Sequence, residues 1–140
     1  MNTQMNTLIN KMIANPRLLF LIDSLGAVVS AFFLGVILVR FESVFGMPKK
    51  TLYVLALIPC VFAIYSFICY QLNIKNWRPY LKVIAMANLL YCFLSMGLLY
   101  HHLESLTLWG IGYFINEFVI IITLVFIEFK AAYSIENKLP

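Results

Sequence analysis

Glu117 is the residue best placed to do chemistry. It lies at the middle of residues 106–127, an apolar run of about 22 residues that is long enough to cross a bilayer as one helix. An acidic residue at that depth costs roughly 2.5–3.5 kcal/mol on insertion scales. Residues of this kind face a bundle interior or a wet cavity, and by default they mark a functional site. The chemistry open to such an acid is the holding and passing of a proton, or hydrogen bonding between helices.

Asp23, Asn88, Tyr91 and Asn116 are further polar residues inside apolar runs. Asn88, Tyr91, Cys92, Ser95, Leu99 and His102 recur at the spacing of one helical face. A polar stripe of this kind belongs toward the bundle. Tyr113, Asn116, Glu117, Ile120 and Leu124 form a comparable face, with Thr123 seven residues after Asn116. Asp23 and Ser30 are also seven apart. At about 1.5 Å per residue, Asn88 sits roughly 12 Å from the cytoplasmic end, Glu117 roughly 15 Å and Tyr91 roughly 16 Å. These levels predict that Glu117 meets Asn88 or Tyr91. No basic residue is central enough to pair with Glu117, so it is expected to be a neutral, hydrogen-bonded acid for much of the time. Asp23, roughly 8 Å in, is expected near Lys82, Lys130 or Arg17.

Other chemistries have little support. His101, His102 and Glu104 lack further ligands for a metal, so no metal and no cofactor is expected. The two histidines lie at the outer rim, far from Asp23, which argues against a Ser/His/Asp arrangement. Gly110 and Gly112 lie inside an apolar run, and so do Cys60, Cys69 and Cys92, with no C-x-x-C spacing. The chain is not expected to be an enzyme.

The elements that must position these residues follow from composition. The chain has 140 residues, 63% apolar and 11% charged, with net charge +4 and mean hydropathy +0.91. A soluble chain this short could not bury so much apolar surface. The positive balance reads as topology signal and lipid contact. The basic residues are scattered without an interleaved aromatic stripe, which argues against nucleic acid.

The expectation is an all-α membrane protein, an up-down four-transmembrane-helix bundle. Its spans are residues 18–39, 51–72, 80–100 and 106–127, within one membrane domain of residues 18–129. Residues 1–17 form a polar segment in which Leu8, Ile9, Met12 and Ile13 permit a surface amphipathic helix. Residues 130–140 form a polar tail, with Glu128 and Lys130 closing the last span at the interface. Ala27, Ala31 and Gly35 make a small-residue ridge on the first span, which lets another helix approach closely. Pro59 interrupts the hydrogen bonding of the second span, and Trp77 anchors the middle connector.

The ten Lys and Arg residues divide seven to three. Lys11, Arg17, Lys75, Arg78, Lys82, Lys130 and Lys138 fall on one side, and Arg40, Lys49 and Lys50 on the other. This places both termini in the cytoplasm. Short loops fit a bacterial inner membrane. The expected function is that of a non-enzymatic assembly or accessory membrane protein. The alternative is a small proton-coupled transporter or channel subunit using Glu117. Expected partners are the lipid bilayer and a second copy or another membrane protein.

Overall fold

The computed structural model describes residues 2–72 and 75–134, and these are helical throughout apart from short connections. The elements are α1 (Asn2–Ala14), α2 (Pro16–Phe32), a π-helical turn (Phe33–Ile37), α3 (Leu38–Arg40), α4 (Glu42–Phe45), α5 (Lys49–Leu72), α6 (Arg78–His101) and α7 (Leu108–Ser134). Four helices are long and apolar enough to cross a membrane: Pro16–Arg40, Lys49–Leu72, Arg78–His101 and Leu108–Tyr133. Asn73 and Ile74 of the middle connector, the side chain of Ile13, and residues 135–140 with Lys138 lie outside the described residues.

Local chemistry sets the helix boundaries. Asn15 caps α2 by accepting from the Leu18 amide at 3.4 Å, and Pro16 occupies the first turn, where its missing N–H is no loss. A proline also lies in the first turn of α6. Gly46 ends α4 in the left-handed region, with φ +83°. At that glycine a Cβ would stand 2.1 Å from the Ser105 carbonyl oxygen, and at Gly110 one would stand 2.1 Å from the Phe45 carbonyl oxygen. Both glycines therefore let the loop after the first span latch onto the start of the fourth. The Thr107 amide donates to the Phe45 carbonyl at 3.2 Å, and its hydroxyl donates to the Val44 carbonyl.

The first span packs most extensively on the second, and the third on the fourth. The first and fourth touch only sparsely. At Gly35, inside the π-helical turn, a Cβ would lie 3.3 Å from that of Ala56. The small-residue ridge is thus used inside the chain at that point, against the second span. Of α1, Ile9 and Met12 pack on the core while Leu8 is exposed.

Two apolar clusters fill the interior. One holds Leu34, Leu38, Leu52, Leu55, Tyr91 and Phe114. The other holds Leu19, Phe20, Cys69, Leu81, Ile84 and Ile127. Along the first three spans, buried Asp23, Ser66 and Asn88 fall between members of these clusters. A polar layer therefore separates two greasy ones.

Candidate functional site

Asp23 stands at the centre of that polar layer. Its Oδ2 accepts from the Ser66 hydroxyl at 2.5 Å, and its Oδ1 accepts from the Asn88 amide at 2.8 Å. Beside it, Ser24 donates to the Ala63 carbonyl at 3.0 Å. Three spans thus converge on one carboxyl group. The fourth contributes Glu128, which is 0% exposed and lies next to Asp23 and Asn88. Neither Glu128 oxygen completes a hydrogen bond.

Glu128 is the residue that sequence reasoning missed. It was expected at the interface, closing a span that ends at residue 127. The helix instead continues to Ser134, and Ala131 and Ala132 are buried. Glu128 therefore lies roughly 9 Å inside the helix end, level with Asp23 roughly 10 Å into the first span. A signal was present: Glu117, Ile121, Leu124 and Glu128 recur at i, i+4, i+7 and i+11, which is one face.

The expected cations are not at Asp23. Arg17 donates from Nε to the Tyr70 carbonyl at 3.0 Å and lies over the Tyr70 ring. Lys82 lies over Tyr133, and Lys130 over Phe126. Their stems lie along apolar surface while the charged heads are held by aromatic faces and a helix-end carbonyl. Among the described residues, the ion pair formed is Lys49 with Glu42 at 3.9 Å, on the surface.

Glu117 forms a second site. It is 5% exposed. Its Oε1 accepts from the Tyr91 hydroxyl at 3.4 Å, and its Oε2 has no hydrogen-bond partner. Ser30, Cys92 and Tyr113 stand around it. The same Tyr91 hydroxyl reaches the Leu55 carbonyl at 3.5 Å. That carbonyl is available because Pro59, four residues on, has no N–H to give it. Of the two alternative partners expected for Glu117, Tyr91 is the one that meets it, and Asn88 donates to Asp23. Helix tilt and side-chain reach outweigh a difference of a few ångströms in counted depth.

Asn116, adjacent in sequence, points to the exposed flank of the fourth span. Thr123 turns back to its own helix, donating to the Val119 carbonyl at 2.7 Å. At the opposite end of the third span, His102 Nε2 lies 3.3 Å from the Thr51 hydroxyl, and His101 packs edge-on to His102.

A cavity lies beside each of these sites. A groove of about 490 Å³ opens sideways between the first and fourth spans; Leu25, Val29 and Phe33 line it together with Ser30, Asn116 and Glu117. A narrow internal space of about 50 Å³ lies between Asp23, Asn88, Tyr91 and Ser30. That volume is large enough for a water molecule, and its walls carry polar groups of the kind a buried water bonds to. The two spaces share Gly26, Ser30, Ile120 and Ile121 as walls. Three buried acids, Glu117 and Glu128 on the fourth span and Asp23 on the first, thus line one part of the interior. They can accept, hold and hand on protons. No family model matches this chain, and neither a curated protein nor a solved structure shows significant similarity to it.

Proposed function

We propose that the chain is a small multi-pass membrane protein and a subunit of a proton-coupled transporter or channel. Its four helices would stand as an up-down bundle in a bacterial inner membrane, with both termini cytoplasmic. The pairing of consecutive helices supports that topology. So do the contacts, which run in opposite directions along the first and second spans: Asp23 with Ser66, Gly35 with Ala56. The seven-to-three division of basic residues supports the orientation. Residues such as Leu57, Val61, Leu90 and Val119 are largely exposed on the outer faces, as a lipid solvent favours.

One observation carries the functional reading. Asp23, Glu117 and Glu128 are all buried, none is paired with a cation among the described residues, and a water-sized cavity lies between the two sites. Hydrogen bonds alone would hold helices together with one acid or with none. Two adjacent acids and a third along the same face add charge that the interior cannot leave unneutralised, and protons are the available counter-charge. The groups facing this path are Ser66, Asn88, Tyr91, Cys92, Ser30 and Tyr113. Bond-making chemistry forms no part of the reading.

The test is proton movement in liposomes loaded with a pH-sensitive dye. Under an imposed gradient the wild-type chain passes protons faster than protein-free liposomes do. Asp23→Asn and Glu117→Gln each return the rate to that background while the chain stays folded. Wild-type rates from both variants would sink the reading. A second reading, a non-enzymatic assembly or accessory protein, is favoured by Asn116, whose polar group is turned outward from the bundle.

A further inference from the structure

Three spans meet at the end of the bundle that carries most of the Lys and Arg residues. Arg17 opens the first span and reaches Tyr70 at the end of the second, and Trp77 leads into the third. Between them lies a cleft of about 310 Å³ whose walls include Arg17, Phe20, Cys69, Lys75 and Trp77. Its floor is apolar: Phe20 and Cys69 are buried, and Trp77 packs against the same cluster. Its rim is cationic, because Arg17 and Lys75 are exposed. Tyr70 fixes the Arg17 side chain before any ligand arrives. The Tyr70 carbonyl is among the last four of its helix, which have no partner within it, and it accepts from Arg17 Nε at 3.0 Å. The Tyr70 ring centre lies 4.7 Å from the guanidinium carbon. The N–H groups on the two Nη atoms are left without an acceptor among the described residues. Lys75 likewise forms no ion pair there. Among the described residues, the acids at this end are Asp23 and Glu128, both buried. At the opposite end, by contrast, Lys49 has Glu42 at 3.9 Å.

We infer that this cleft binds a phosphate group, presented by the head of an anionic phospholipid. The Nη edge of Arg17 and the ammonium of Lys75 offer charge-assisted hydrogen bonds to phosphate oxygens. The first span starts here, so the positive end of its helix dipole adds to the field. Trp77 carries an amphipathic ring of the kind that sits at headgroup level, which brings the cleft to the depth of the lipid phosphates. Basic pockets between spans on the cytoplasmic side suit anionic heads. The apolar floor suits the glycerol and first methylenes of a lipid. A free phosphate ion carries the same oxygens but leaves that floor unfilled. A zwitterionic head has the phosphate too, with a cation attached that Arg17 and Lys75 repel. Because Arg17 is already held in place, little ordering cost opposes binding. This site does not depend on proton movement.

The test reads Trp77 fluorescence. Full-length chain carrying Trp109→Phe keeps Trp77 as its one tryptophan. It is placed in phosphatidylcholine bilayers with a rising fraction of a lipid brominated close to its head, which quenches a neighbouring indole. Brominated phosphatidylglycerol should half-quench Trp77 at about one tenth of the fraction that brominated phosphatidylcholine needs. Arg17→Gln and Lys75→Gln should each lower that preference about threefold, and the double variant should abolish it. Lys130→Gln removes a cation from the same end but outside the cleft, and should keep the preference. Inorganic phosphate, added at constant ionic strength, separates the two sources. Recovered fluorescence means that free phosphate competes for the cleft, and no recovery means that the cleft takes phosphate as part of a lipid. Either result keeps the phosphate site and assigns its source. Equal quenching of the wild-type site by the two brominated lipids overturns the inference. So does a loss in Lys130→Gln equal to that in Arg17→Gln, which makes the preference a property of the whole basic surface. If Arg17→Gln lowers the unfolding temperature through its lost contact with Tyr70, Lys75→Gln decides the matter alone.

Discussion

The two acid sites differ in how completely the chain closes them. Around Asp23, four spans meet, and both carboxyl oxygens accept hydrogen bonds, from Ser66 and from Asn88. Around Glu117, a single long bond from Tyr91 serves one oxygen, and the other is buried beside the groove without a completed hydrogen bond. The first site lies where all the helices converge. The second lies where the first and fourth spans separate. The same residue type is thus held in one case by the fold's own donors and left incomplete in the other. A closed site contributes to folding, and an incomplete one is available to a proton.

Substitutions sharpen this contrast, since stability should respond strongly at the closed site and weakly at the open one. Asn88→Leu removes a donor from a buried carboxyl and should destabilise the chain by about 2–3 kcal/mol in a reversible unfolding assay. Ser66→Ala removes the other donor but leaves less volume to refill, and about 1.5 kcal/mol is expected. Glu128→Gln should act in the opposite direction. Its amide can donate to Asp23 and relieves an acid–acid contact, so a gain of about 1 kcal/mol is predicted from the same unfolding measurement. Tyr91→Phe removes the one hydroxyl proton shared between Glu117 and the carbonyl freed by Pro59, and a loss of about 0.6 kcal/mol fits a single interhelical hydrogen bond. Asn116→Leu, on the exposed flank, should leave monomer stability within about 0.5 kcal/mol of wild type. A large loss at Asn116 together with a small one at Asn88 would invert the contrast between the sites.

Much of the architecture can be read from hydropathy and helical spacing. The four long apolar helices follow from composition. The inward face of the third span follows from the spacing of Asn88, Tyr91, Cys92 and Ser95, all of them buried. The closeness of Tyr91 and Glu117 can be counted from about 1.5 Å of rise per residue. Asn88 resists the same counting, because Asp23 and Glu117 lie within a few ångströms of its level and helix tilt decides between them. Glu128 was hidden for another reason. A charged residue near the end of an apolar run reads as an interfacial one, and only the extension of the helix to Ser134, with Ala131 and Ala132 buried, shows that Glu128 lies inside the bundle. The loop latch could not be read either. Gly46 and Gly110 are far apart in the chain, and their close approaches to Ser105 and Phe45 depend on the packed arrangement of two connections.

The division into two sites rests on the partner of Asn88. A double-mutant cycle measures it directly, using Asp23→Asn with Asn88→Leu and Glu117→Gln with Asn88→Leu, each read by unfolding in the same detergent. A coupling of about 1 kcal/mol or more is predicted between Asp23 and Asn88, against less than about 0.3 kcal/mol between Glu117 and Asn88. Strong coupling of Asn88 to Glu117, with none to Asp23, would contradict the account.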